Sequence, residues 1–323
     1  MKASQLTLAV LLTAAFGSAA HAANVEGGSS NTNLIKPKTS DPIPFGSGAA
    51  GIQVSSNGHL SNSINLEVGP AQRIRNKYGN APINGGNQNA NVNGTANPKY
   101  LIPGDVNPVL GWFSSEKLGQ VWYEKRANNT EVFSVRQMAE LSEKGLLKKA
   151  PKFGGMTFAK VPTAATNVFF GEWAPRKNGT APENSTDLNM GSSQRTVWYV
   201  GDNPAKNLSN MTISKATYNV VGINNHTPGQ NDFYTGQVTA DFGSKAVMGG
   251  SISRGDKDTL TFKDVSINLR NGTFTSTGTT NKEGITGQFY GTNAAALAGY
   301  ATRGNGVGDD VAFGGKQSSS TPK

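Results

Sequence analysis

The sequence predicts a mainly β protein, with an N-terminal β-rich domain carrying a short helix and a C-terminal eight-stranded antiparallel β-barrel. Three observations carry that expectation. Only 16% of the 323 residues are charged, while 40 are Gly and 33 are Asn, which describes a surface of uncharged turns rather than the charged faces of a helical bundle. From Arg195 onward, short alternating apolar and polar runs recur about eight times, separated by Gly or by Asp256-Lys257-Asp258. About eight antiparallel strands in roughly 125 residues fit a small closed barrel, with a β-sandwich as the competing architecture. A helix signal stands at one place only, Ser134-Val135-Arg136-Gln137, where capping-box spacing precedes Val135, Met138, Ala139 and Leu141 at near-helical period.

In chain order, residues 1–22 read as an export signal: Lys2, an apolar run from Leu6 to Phe16, then Ala20-His21-Ala22 before Ala23. That run is too short to span a membrane. Residues 23–44 are Asn, Ser, Thr, Pro and Gly without period and are expected to form a flexible arm. The first domain is placed at 45–190. Ile64, Leu66 and Val68 alternate with polar residues as a half-buried strand does. Gly79–Pro98 reads as a long loop, and Val121–Lys125, Met156–Val161 and Val168–Trp173 are aromatic and β-branched strand runs. Pro175–Ser193 reads as a linker. The barrel is placed at 195–323, beginning with the run Thr196–Val200. Gly249, Gly250, Gly287 and Gly291 are expected at close strand approaches or barrel corners.

Composition excludes several classes of chemistry. There is no Cys, hence no disulfide scaffold, thiolate metal site, Cys nucleophile or lipid-bearing Cys. A cysteine-free exported chain with this signal looks bacterial, and no further stretch is apolar enough for an integral membrane segment. Net charge is +9, or +8 once the leader and its single Lys are removed, with the densest basic run at Arg73, Arg75 and Lys77. That is too sparse for a nucleic-acid face. It reads as a charged edge strand or as a site for an anionic ligand or acidic partner. No Gly-x-Ser-x-Gly elbow, His-Glu-x-x-His helix or Walker loop occurs, so the chain is read as not an enzyme. Trp112, Trp122, Trp173 and Trp198 could form a carbohydrate face, but Trp within strand runs is more often core.

The stretch Gly287–Tyr300, GQFYGTNAAALAGY, resembles the last barrel turn of the transferrin-binding protein B-like family, an F-Y-G-x-x-A-x-x-x-x-G run that stands here as Phe289, Tyr290, Gly291, Ala294 and Gly299. Val311–Gly315, Val238–Gly243 and Gly249–Ile252 are similar to that family as well. The acidic residue often found late in the run is absent, with Leu297 near its place. A cleavable signal without a lipid-bearing Cys, one handle-like domain and one barrel resemble the secreted branch, the hemophilins and related cargo of Slam-type outer-membrane translocators. The resemblance implies a secreted monomeric carrier that takes haem (heme b) to a TonB-dependent outer-membrane receptor. It also implies that the translocator recognises the barrel. On that reading the only histidines of the mature chain, His59 and His226, both in loop-like contexts, are the candidate ligands of the haem iron. Tyr78 is a further possible ligand, Arg73 and Arg75 are candidates for the propionates, and Leu60 and Ile64 for apolar walls. A host-protein-binding or adhesion factor, or a carrier of another small metabolite, is the alternative.

Overall fold

The computed structural model describes residues 24–43, 45–56, 58–79, 83–84, 99–106, 112, 115–126, 128–138, 153–163, 166–177, 185–243, 245–255, 258–276 and 283–323. The export signal, nearly all of the loop expected at 79–98, and 139–152 lie outside these residues.

The first part of the chain supplies β1 (Val25–Ser29), β2 (Ile35–Thr39), β3 (Ala50–Ser56), β4 (His59–Leu60), β5 (Ile64–Asn65), α1 (Gln72–Tyr78), β6 (Ile83–Asn84), β7 (Lys99–Leu101), β8 (Gly119–Lys125), β9 (Glu131–Gln137), β10 (Gly155–Lys160), β11 (Val168–Ala174) and β12 (Thr196–Asp202). Eight of these strands make one sheet in the order β1-β12-β11-β10-β9-β8-β6, with β7 also on β8. β2 to β5 form a small second sheet centred on β3. One face of the large sheet, with Phe133, Phe158 and Trp198, packs against Ile52 of β3 and Ile74 of α1. The opposite face meets the barrel, so β11 and β12 are buried at every position. That double burial explains why they read as nearly continuous apolar runs rather than as clean alternation.

Three local expectations are corrected. Glu131–Gln137 is a strand, not the start of a helix. Phe133 and Val135 alternate with Ser134 and Arg136, and full-length pairing with β8 and β10 outweighs a capping signal that never acts. The Ser134 hydroxyl lies 2.9 Å from the Thr157 hydroxyl across the ladder instead of capping a backbone N–H. Arg73, Arg75 and Lys77 lie on α1, not on an edge strand. Ala71, Ile74 and Tyr78 are buried at helical spacing, a period of three and four that the eye drawn to alternating cations overlooks. The expected arm contributes β1 and β2. Backbone pairing of Val25–Ser29 with Asp202–Trp198 orders a segment whose side chains offer little apolar area, as sheet edges do.

The barrel consists of β13 (Ile213–Ile223), β14 (Tyr234–Asp241), β15 (Val247–Arg254), β16 (Asp258–Thr261), β17 (Val265–Asn268), β18 (Thr273–Ser276), β19 (Glu283–Tyr290), β20 (Ala296–Arg303) and β21 (Val311–Pro322). The ring β14-β13-β21-β20-β19-β18-β17-β15 closes through the pairing of β15 with β14, and β16 pairs with β15 outside the ring. The expected eight-stranded antiparallel barrel is therefore present. Its interior is filled by rings such as Tyr218, Phe242, Phe274, Phe289 and Phe313, the arrangement open to a barrel this small.

Sheet and barrel share a second apolar layer. Val132, Phe170, Val197 and Tyr199 of the sheet meet Val221, Ile223, Phe233, Tyr290 and Ala312 of the barrel. Gly314 leaves the space that the Phe170 ring occupies, and the Tyr290 hydroxyl donates to the Glu26 carbonyl at 2.9 Å. The two sheets thus part after β12 rather than near residue 190, and Thr196–Asp202 belongs to the first. Among the described residues, no helix is long and apolar enough to cross a membrane.

Candidate functional site

His59 opens β4, opposite Ser56 of β3, directly after Gly58 in a left-handed turn (φ 79°). Two residues of pairing cannot bury a side chain, and both His59 and Leu60 are exposed. No described residue hydrogen-bonds the imidazole. The other residues expected around it are committed elsewhere. Tyr78 is buried at the end of α1 and donates its hydroxyl to the Val121 carbonyl at 2.8 Å. Burial pushes that phenol far above its ordinary range, so a phenolate is not at hand.

Arg75 grips Glu131 through Nε and Nη2, both at 2.8 Å, and Glu67 through Nη1 at 2.8 Å. Its guanidinium also lies 5.0 Å from the centre of the Phe133 ring. Lys160 adds a 2.9 Å contact to Glu67, and the Tyr123 hydroxyl donates to Glu131 at 2.6 Å. Burial would raise both carboxyls, but the hydrogen bonds and charge of Arg75 reverse that and hold them below the usual carboxylate range. This network pins α1 to the sheet and commits each of the three Arg75 nitrogens to a carboxylate. Arg73 is different. Its guanidinium lies 5.7 Å from the Phe45 ring centre, and its Nε is buried with no hydrogen-bond partner.

His226 departs furthest from the sequence reading. It is 2% exposed, with Nε2 2.8 Å from Glu124 Oε2 of the sheet and Nδ1 against Asp232. The Phe233 ring centre lies 4.4 Å away. With a carboxylate on each nitrogen, no position is left for iron, and the expectation that His226 is a haem ligand does not fit this geometry. Around it lies a buried polar cluster that the sequence reading missed. Glu172 accepts from the backbone N–H groups of Asn225 and His226, each at 2.7 Å, and from Arg195. Arg126 bonds Glu124 at 2.7 Å and the Gln230 carbonyl at 2.8 Å. A signal was present for Glu172, a single charge inside the apolar run FFGEW, since a buried charge demands a partner; Glu124 stands at the end of VWY beside Lys125 and gave none.

Of the four tryptophans, Trp122, Trp173 and Trp198 are core, while Trp112 is 81% exposed. A shallow depression of about 280 Å³ at the end of the barrel is lined by Leu208 and Ala205, with Asn203, Lys206 and Asn293 among its polar residues.

Residues 209–317 match the family model of the HphA C-terminal domain, and they are the barrel. The match covers about a third of the chain. The resemblance read from the Phe289–Gly299 run is thereby borne out for this part of the chain. Its residues have visible work here: Tyr290 reaches the sheet, Leu297 and Ala294 are fully buried, and Gly287 and Gly299 sit where a side chain would strike the rings of Phe274 and Phe313. Among solved structures, the chain is similar to the haemoglobin receptor HpuA of Kingella denitrificans, in complex with human haemoglobin, at 12% identity and a TM-score of 0.42, over 94% of this chain and 91% of that one. It is similar to transferrin binding protein B of Haemophilus parasuis at 14% identity and a TM-score of 0.33, over 63% and 39%. The N-lobe of lactoferrin binding protein B of Moraxella bovis aligns at 14% identity and a TM-score of 0.28, over 63% and 92%.

Proposed function

We propose that this chain is an exported haem carrier that passes haem to a TonB-dependent outer-membrane receptor and leaves the cell through a Slam-type translocator, with His59 as the residue that ligates the iron. The observation that carries the reading is the HphA C-terminal domain match over the barrel. The donor chemistry present is compatible with haem as cargo. His59 offers an uncommitted imidazole beside exposed Leu60, and a neutral imidazole is a strong axial ligand. Of the two candidate cations, Arg75 has every nitrogen on a carboxylate, while the Nε of Arg73 has no hydrogen-bond partner. The test is titration of haemin into the purified mature chain. A saturable Soret shift at about one equivalent is expected, and its absence overturns the reading. His59→Ala should then change the ligation spectrum, and an unchanged spectrum assigns the ligand elsewhere.

A second reading, contact with a host protein, has one observation in its favour: Trp112, at 81% exposed, is the kind of aromatic anchor that protein interfaces use. Retention of a serum protein on the immobilised chain, with no uptake of haem, is the outcome that favours it.

A further inference from the structure

We infer that the loop 224–233 is a charge-balanced latch between barrel and sheet, closed while His226 carries a proton on both ring nitrogens and released when it loses one. Three carboxylates, Glu124, Glu172 and Asp232, meet two guanidinium groups, Arg126 and Arg195, in a cluster where Glu124, Glu172, Arg195 and His226 are all at most 2% exposed. Uncompensated charge is costly at such a site; the adjoining carboxylates Asp258 and Asp310 are matched in number by Arg254 and Arg303, so the count closes only with an imidazolium. Geometry agrees, because both nitrogens face carboxylate oxygens. A neutral imidazole has one N–H to donate. Its other nitrogen would turn a lone pair toward Glu124 Oε2 or Asp232 Oδ1 and leave that oxygen without a donor.

The latch joins separate parts of the chain. Glu124 and Arg126 come from β8 and its end, Glu172 from β11 and Arg195 from the lead into β12. The barrel answers with Asn224, Asn225, His226 and Asp232, and Arg126 packs 4.0 Å from the Phe233 ring centre. Asn224 donates to the carbonyls of Gly308 and Asp310 at 2.8 and 2.9 Å, Arg195 donates to the Asp310 carbonyl at 2.9 Å, and Arg254 donates to the Asn224 carbonyl at 2.8 Å.

The sign of the pH dependence follows. Burial alone would lower the pKa of His226, but the charge of Glu124 and the hydrogen bonds the ring donates to Asp232 and Glu124 outweigh it and push it up to about 9. A cationic group whose folded pKa lies above its ordinary 6.5 gives its full stabilisation below pH 6.5 and loses it as pH rises through 9. Asp310, the neighbouring carboxyl, is raised by burial to about 6, so its titration is centred below the rise through 9 that His226 reports. The apolar layer behind the latch does not titrate, so what opens is the loop.

The experiment is an NMR titration of the full mature chain labelled at histidine, with limited subtilisin digestion at pH 7 and pH 9.5. His226 should show both nitrogens protonated at pH 7.5 and titrate near 9, with cleavage within 224–233 only at the higher pH. A neutral His226 at pH 7.5 overturns the inference, as does a loop equally resistant or equally cut at both pH values. His226→Gln, which cannot carry the charge, should be cut at both, and resistance at pH 7 in that variant also overturns it. The wild-type titration stands even if the variant does not fold.

Discussion

Glu172 shows what one residue does in this protein. With no side-chain exposure it binds Arg195, also fully buried, and two backbone N–H groups of the barrel loop. Glu172→Ala strands the guanidinium and both amides, so we expect a loss of about 3–5 kcal/mol, read as a lower urea midpoint with an unchanged slope. His59 is the opposite case. It is exposed and nothing in the described chain leans on it, so His59→Ala should shift stability by no more than about 0.5 kcal/mol, checked by thermal melting. Loss of haem binding in that variant would then report a lost ligand rather than a lost fold. The candidate site was legible in part at this scale. A lone His after a Gly turn can be read from sequence, but whether a His is exposed or wedged between Glu124 and Asp232 depends on residues over a hundred positions apart.

Among the elements, the barrel strands were the most readable because one face of each meets a filled interior and the other faces solvent over much of its length. Their period of two survives in the sequence, as in Ala216, Tyr218 and Val220 of β13 against Thr217 and Asn219. The run Thr259–Leu269 misled only at its middle, where Asp264 turns through φ 53° and divides β16 from β17. Close packing gives an element-scale prediction. A methyl at Gly287 would fall well inside contact distance of the buried Phe274 ring and the Ala298 carbonyl, neither of which can withdraw. Gly287→Ala should cost about 1–3 kcal/mol, seen as a lower melting temperature with the β-sheet circular dichroism spectrum retained below it. Glu131–Gln137 failed for the converse reason: a helix start is a local signal, and two flanking strands supplied a non-local ladder that outcompeted it.

At the scale of the whole molecule, the barrel has its own core yet turns an apolar flank to the sheet. Phe233, Tyr290, Val221 and Ile223 are buried only because Phe170, Tyr199 and their neighbours cover them, and each large apolar side chain so buried is worth about 1.5–3 kcal/mol. Residues 204–323 produced alone should therefore keep the barrel's circular dichroism signature but bind a hydrophobic dye that the full chain does not, since an exposed patch of this kind attracts apolar ligands. Equal dye binding by the two would show that the flank is not covered in the full chain.

Legible in the sequence were the β-rich class, the eight-stranded barrel, the resemblance carried by its closing turn and the absence of cysteine. Each of these follows from composition, from a period carried within one strand, or from a short contiguous run. Tertiary structure alone decided that the Asn-rich arm completes a sheet edge, that Thr196–Asp202 belongs to the first sheet, and that Arg75 and Tyr78 face inward. It also decided that His226 is buried between Glu124 and Asp232 at the junction. These depend on which segments meet across the molecule, and the free energy that chooses among them lies in paired backbone edges, shared apolar area and balanced buried charge, none of which any single stretch of sequence holds on its own.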